Sequence, residues 1–135
     1  MNKYKYPILE RVDTDIGRFY KDSKLNLVPS VTTVLSNTSN KADGIADWRL
    51  RVGDEEANRI IKQSTDIGTS VHLAIENYLN NKSWDDFGSS YEEKISQKIT
   101  KRFISDGLTK ITEIWGLEVG LILDNLFAGT ADCVG

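Results

Sequence analysis

The chain has 135 residues, 39% of them hydrophobic, which is enough for one globular domain around a single core, and residues 1–135 are expected to form one. Its formal net charge of −3 supplies no bulk attraction to nucleic acid or an anionic membrane, so a polyanionic partner would have to be held by a local patch. A lone cysteine, Cys133, excludes an internal disulfide and a cysteine-rich metal site. The opening MNKYKYPILE lacks a signal-peptide core and no stretch approaches the ~20 apolar residues of a membrane span, so the expectation is a soluble, cytoplasmic chain with no membrane partner.

Ile8 to Tyr20 mixes polar and apolar residues around Asp15-Ile16-Gly17, the composition of a short β-hairpin. Asn26 to Val28 then leads in extended conformation to Pro29, after which Ser30 can cap a short helix, Val31 to Ser36. Asp43 to Arg51 has helical spacing, and Gly53 breaks it. The acidic run from Asp54 starts another helix, through Lys62, burying Ala57, Ile60 and Ile61. Ser64 to Asp66 offers fresh caps, and from Ile67 the residues Val71, Ala74, Ile75 and Tyr78 repeat at three- and four-residue steps, the clearest amphipathic pattern in the chain. Asn80 to Ser89 is a polar loop with Trp84 and Phe87 folding back. Ser89 or Ser90 caps a helix to about Ser105 whose stripe is Tyr91, Ile95, Ile99 and Phe103. Thr112 to Leu123 and Leu126 to Val134 are rich in β-branched and aliphatic residues on either side of Asp124-Asn125, which predicts an antiparallel hairpin.

The helix Thr65 to Leu79 carries the only histidine, His72, and a glutamate four residues on, Glu76. Residues four apart share a helix face, about 5–6 Å between Cβ atoms, so the two side chains can address a common point. Both fall at the border of the apolar stripe. Gly68 lies one turn earlier on the same edge; it costs roughly 1 kcal/mol of helix stability against alanine but leaves room for a ligand to approach. A histidine at such a border is, by position alone, more often a surface residue than a ligand.

Asp132 sits in an apolar strand behind Gly129, Thr130 and Ala131, where a carboxylate is costly unless it is paired, capped by donors or bound to a cation; the plainer reading is a strand-end aspartate exposed to water. Glu118, between Leu117 and Val119, raises the same question. Pairing across Asp124-Asn125 puts the two at similar distances from the turn, and the register decides whether they share a face. Two carboxylates and a histidine converging would suit Mg²⁺, or Mn²⁺ where the imidazole takes part.

Four blocks then occur in order: LVPSVTTVLS at Leu27 to Ser36, WRLRVGDEEANRI at Trp48 to Ile60, GTSVHLAIENYL at Gly68 to Leu79 and AGTADCVG at Ala128 to Gly135. Together they resemble the mitochondrial genome maintenance exonuclease and its phage relatives, in the RecB-type branch of the PD-(D/E)xK nuclease superfamily. The resemblance implies an α+β fold, an N-terminal β element and helices leading into the first antiparallel hairpin of a restriction-endonuclease-like core. It also implies a metal-dependent DNA exonuclease using Mg²⁺ or Mn²⁺ on DNA that is single-stranded or has free ends, in a bacterial or phage-infected cytoplasm. By matching position, His72 becomes a metal ligand, Glu76 the helix carboxylate beside the site and Asp132 the metal-binding aspartate of the core, with Glu118 a strand glutamate of less defined role.

That family carries, after its aspartate, a strand with an acidic residue, any residue and lysine. Asp22-Ser23-Lys24 and Glu92-Glu93-Lys94 match the letters, but one lies far upstream and the other on a predicted helix. The core is therefore expected to be truncated here, with a second chain supplying the rest, or the chain to be a catalytically incomplete fragment that binds DNA or a partner. Lys94, Lys98, Lys101 and Arg102 form a basic stripe on the third long helix that could meet phosphates or simply be solvated. Arg49 and Arg51 are weaker candidates of the same kind.

Overall fold

A computed structural model describes residues 2–135. The chain divides into two compact units, one of Asn2–Trp48 with Trp115–Val134 and one built on Arg49–Ile114. Each is described by itself.

In the first unit the expected hairpin is present: β1 (Glu10–Thr14) and β2 (Gly17–Lys21) pair antiparallel around a two-residue turn, Asp15-Ile16. Gly17 has φ +136°, and a Cβ there would lie 2.7 Å from Thr33 Oγ1, so both the backbone and the space require glycine. β3 (Leu27–Pro29) pairs with β2. Ser30 then accepts a 3.0 Å bond from the Thr33 amide and caps α1 (Val31–Thr38), two residues longer than its predicted span. The α1 start is also tied to β2. Thr33 Oγ1 accepts from Arg18 N at 3.0 Å and donates to Arg18 O at 2.9 Å, and Ser30 N donates to the same carbonyl at 2.9 Å.

β4 (Gly116–Leu123) and β5 (Phe127–Val134) make the second predicted hairpin, turning through Asp124-Asn125-Leu126; residues 112–115 of its expected first strand lie outside it. A parallel bridge between Ser30 and Ala128 joins β5 to the end of β3. The core beneath is Tyr20, Val28 and Ala128, with Leu9 and Ile122 packed on it. Gly120 lets the chain cross this hairpin, since a Cβ would stand 2.6 Å from Pro7 O and 2.7 Å from Leu9 Cγ. Gly120→Ala is therefore expected to displace the Pro7–Leu9 segment and cost about 1–3 kcal/mol, seen as a lower urea midpoint at unchanged m.

A buried carboxylate locks the two sets of strands together. Asp22 is 4% exposed; its Oδ1 accepts from Lys24 N and Asn26 N, both at 2.9 Å, and its Oδ2 accepts from Asn125 N at 3.0 Å. Ser23 bonds Asp124 beside it through both its amide and its hydroxyl. Asp22-Ser23-Lys24 is thus a structural loop, and Glu92-Glu93-Lys94 is helical.

In the second unit α2 (Lys41–Val52), which begins in the first, ends at Gly53, whose φ is +87°. α3 then runs unbroken from Asp54 to Leu79, correcting the expectation of two helices. Nothing between Lys62 and Ile67 forces a break: Ser64, Thr65 and Asp66 are merely weak helix formers, and Lys62 bonds Asp66 one turn on at 2.6 Å. α4 (Tyr91–Arg102) is capped by Ser90, which accepts from Glu93 N at 3.2 Å, and continues through a π-turn (Phe103–Gly107) into a short 3₁₀ turn.

The buried face of α4 also differs from expectation. Tyr91 is 68% exposed, with Ile99 and Phe103 each 44%, whereas Ser96 and Thr100 are enclosed at 1% and 0%. α4 packs on α3, whose own buried residues, Ala57 and Ala74, are small as well. Small side chains let helices approach closely, and Ser96 makes the burial affordable by donating to Glu92 O at 2.8 Å. In the connecting loop Trp84 meets Tyr78 edge-on, with ring centroids 5.7 Å apart. No helix among the described residues is long and apolar enough to cross a membrane.

Candidate functional site

The β4–β5 register settles the question left open by the strand pattern. Leu117 faces Cys133 and Val119 faces Ala131, so Glu118 and Asp132 occupy facing positions between those pairs. Facing residues of an antiparallel pair have Cβ atoms about 4.5–5.5 Å apart on one side of the sheet. Glu118 has φ +50°, a left-handed backbone uncommon for a residue with a side chain. Such strain persists only where the surroundings enforce it, and here it falls on a carboxylate opposite another. Both line a cleft of about 850 Å³. Next to them Cys133 has its thiol pKa pushed up, by burial first and by the negative Asp132 second, which keeps it protonated and unreactive.

The other wall comes from β1 and β2. Arg11 faces Tyr20 and Asp13 faces Arg18 in the register, which places all four on one side of the hairpin. Tyr20, Leu9 and Ile122 contribute apolar lining, and Arg11, Arg18, Thr32 and Thr130 bring polar groups to the same cleft. Arg11 is held by Asp13, its Nε lying 2.9 Å from both carboxylate oxygens. Arg18 Nε is only an ion-pair neighbour of Asp13, at 3.7 Å. It is enclosed and has no hydrogen-bond acceptor.

His72 and Glu76 lie one turn apart on α3, as the spacing predicts, His72 exposed and Glu76 half-buried. Near the helix end, Glu76 O accepts from both the amide and the side chain of Asn80, each at 3.0 Å. A Cβ at Gly68 would meet nothing within 4 Å, so the space that the glycine leaves is open. Gly68→Ala is accordingly expected to raise stability by about 1 kcal/mol in thermal unfolding, through helix propensity alone.

Of the residues predicted for the site, Asp132 is thus brought together with Glu118 in the first unit, and His72 with Glu76 in the second. Among the described residues, no three His, Cys, Asp or Glu side chains form a group that could hold a metal ion. The basic stripe is partly neutralised within its own unit. Lys101 pairs with Asp85 at 3.3 Å and Arg102 with Asp106, while Asp85 has its pKa lowered by a hydrogen bond from Gln97 and then by Lys101. Arg49 is spent on Asp54, at 3.1 Å, and Asn58, at 2.6 Å.

The pattern reading passed over Arg11 and Arg18. Their signal is the alternation Arg11, Asp13 on β1 with Arg18, Tyr20 on β2, which becomes a shared face only once the turn fixes the register. Comparison with protein-family models, with curated proteins and with solved structures finds no match.

Proposed function

We propose that this chain is the histidine-helix and first-hairpin portion of a RecB-type PD-(D/E)xK nuclease, and that it serves metal-dependent hydrolysis of DNA phosphodiesters at single-stranded ends. The observation that carries the reading is the facing pair Glu118 and Asp132 on one cleft. The four sequence blocks in family order add to it.

The donor chemistry fits a hard divalent cation. Mg²⁺ is typically held by one or two carboxylates, with water and substrate phosphate filling its remaining positions, and Asp132 and Glu118 supply that number of carboxylates. In this reading Asp132 is the principal ligand and Glu118 orients or shares the ion. By the resemblance His72 is a nitrogen donor of the kind that suits Mn²⁺, and Glu76 is the carboxylate one turn from it on α3. When bound, the ion polarises the scissile phosphate and lowers the pKa of the attacking water.

A second reading, binding of DNA without hydrolysis, is favoured by one observation: among the described residues, both acidic-x-Lys tripeptides are structural, one in the Asp22 loop and one on α4. End-labelled single-stranded oligonucleotides incubated with the chain in Mn²⁺ or Mg²⁺ separate the two. Metal-dependent shortening that EDTA stops is expected. Binding with no shortening at any concentration of either metal would replace the nuclease by the binding reading.

A further inference from the structure

We infer that Arg18 is a phosphate-contacting residue for single-stranded DNA in the cleft shared with Glu118 and Asp132; the choice of DNA rests on the function proposed above.

Three features of Arg18 lead there. Its backbone is fixed on both sides, since Thr33 Oγ1 accepts from its amide while Thr33 and Ser30 both donate to its carbonyl. The side chain therefore starts from a rigid point, the preorganisation that a binding group needs. Its Nε–H is enclosed without an acceptor. An enclosed donor without a partner is uncommon in folded proteins and calls for an explanation. The nearest acid is Asp13, whose two oxygens are already taken by Arg11 Nε at 2.9 Å and whose distance from Arg18 Nε is 3.7 Å. Arg11 thus occupies the local carboxylate, and the accessible part of the Arg18 side chain, 42% exposed, is left to meet an acceptor from outside.

The position selects the acceptor. Arg18 opens onto a cleft with two carboxylates on its other wall, so an anion entering there has to be drawn by cationic groups. Phosphate oxygens match the planar fork of a guanidinium, which donates two parallel hydrogen bonds where a lysine donates from a point. A nucleic-acid strand that places one phosphate at the carboxylate side presents a neighbouring phosphate along the cleft. Thr32 and Thr130, on the same lining, add hydroxyl donors of the kind that contact a sugar–phosphate backbone.

The test is binding of a fluorescein-labelled single-stranded oligonucleotide by anisotropy, in EDTA and in Ca²⁺, across a salt series. Arg18→Ala is expected to weaken binding about tenfold or more and to reduce the slope of log affinity against log salt by about 0.7, the value for one phosphate contact on a single strand. Arg18→Lys should restore the slope and only part of the affinity. Arg59→Ala, whose guanidinium is held by Glu56 at 2.6 Å, serves as the control for general loss of charge and should change neither. Thermal melts of the variants check folding. Wild-type affinity and slope in Arg18→Ala would overturn the inference and leave the nuclease reading standing. Arg18-dependent binding with no cleavage would overturn the nuclease alone. No binding by the wild type in either buffer would overturn both.

Discussion

For the proposed nuclease, replacing Asp132 with Asn is expected to reduce metal-dependent cleavage of single-stranded DNA by at least about a thousandfold, equivalent to ~4 kcal/mol of transition-state stabilisation. The substitution keeps the shape and removes the charge. An amide oxygen is a far poorer partner for a divalent ion than a carboxylate, so Mn²⁺ affinity, followed by calorimetry, should fall in parallel with rate. Thermal melts check that Asp132→Asn remains folded, so that a loss of rate is read against an intact β4–β5 hairpin. Glu118→Gln is expected to reduce the rate less than Asp132→Asn, since in the proposed site Asp132 is the principal ligand. Equal cleavage by Asp132→Asn and wild type would remove Asp132 from the chemistry.

How far the sequence discloses this arrangement depends on how local each cause is. The first hairpin is legible because Asp15-Ile16-Gly17 makes its own turn, and α1 because Ser30 precedes it and caps it directly. The second hairpin is legible for the same reason, with Asp124-Asn125 between two apolar runs. Ser64 to Asp66 misleads because a capping residue caps only where the chain already ends a helix. With no proline or glycine from Asp54 to Ile67, α3 passes through them. The buried face of α4 misleads in another way. Periodicity ranks residues by hydrophobicity, whereas the partner helix selects by size, and Ser96 and Thr100 fit where Tyr91 and Phe103 do not. Of the site, the spacing of His72 and Glu76 is a local property and is plain in the sequence. The facing of Glu118 with Asp132 needed the register, and the role of Arg18 needed two further elements, since Asp13 and Thr33 define it from a neighbouring strand and a later helix.

The same dependence on distant partners makes Asp22→Asn the substitution expected to damage the fold most. Three backbone amides, from Lys24, Asn26 and Asn125, converge on one buried carboxylate, and the third comes from more than a hundred residues away. Asparagine offers one acceptor oxygen. Whichever way its amide turns, an NH₂ group faces at least one of the three N–H donors, leaving enclosed donors unsatisfied. A fall in thermal midpoint on the order of 10 °C is expected. The pH dependence identifies the cause. Burial by itself would raise the Asp22 pKa, yet the hydrogen bonds from Asn125, Asn26 and Lys24 outweigh it and set the folded value below the ordinary 3.8. In acid the unfolded chain then binds this proton before the folded chain does. The contribution of Asp22 is fully present above the ordinary aspartate value and is lost as pH falls from there through its lowered folded value. Wild type should lose midpoint steeply over that acid window, while Asp22→Asn, already without the charge, should lack that part of the slope. Parallel pH profiles for the two would show that the carboxylate does not join the Lys21–Leu27 loop to the β4–β5 turn.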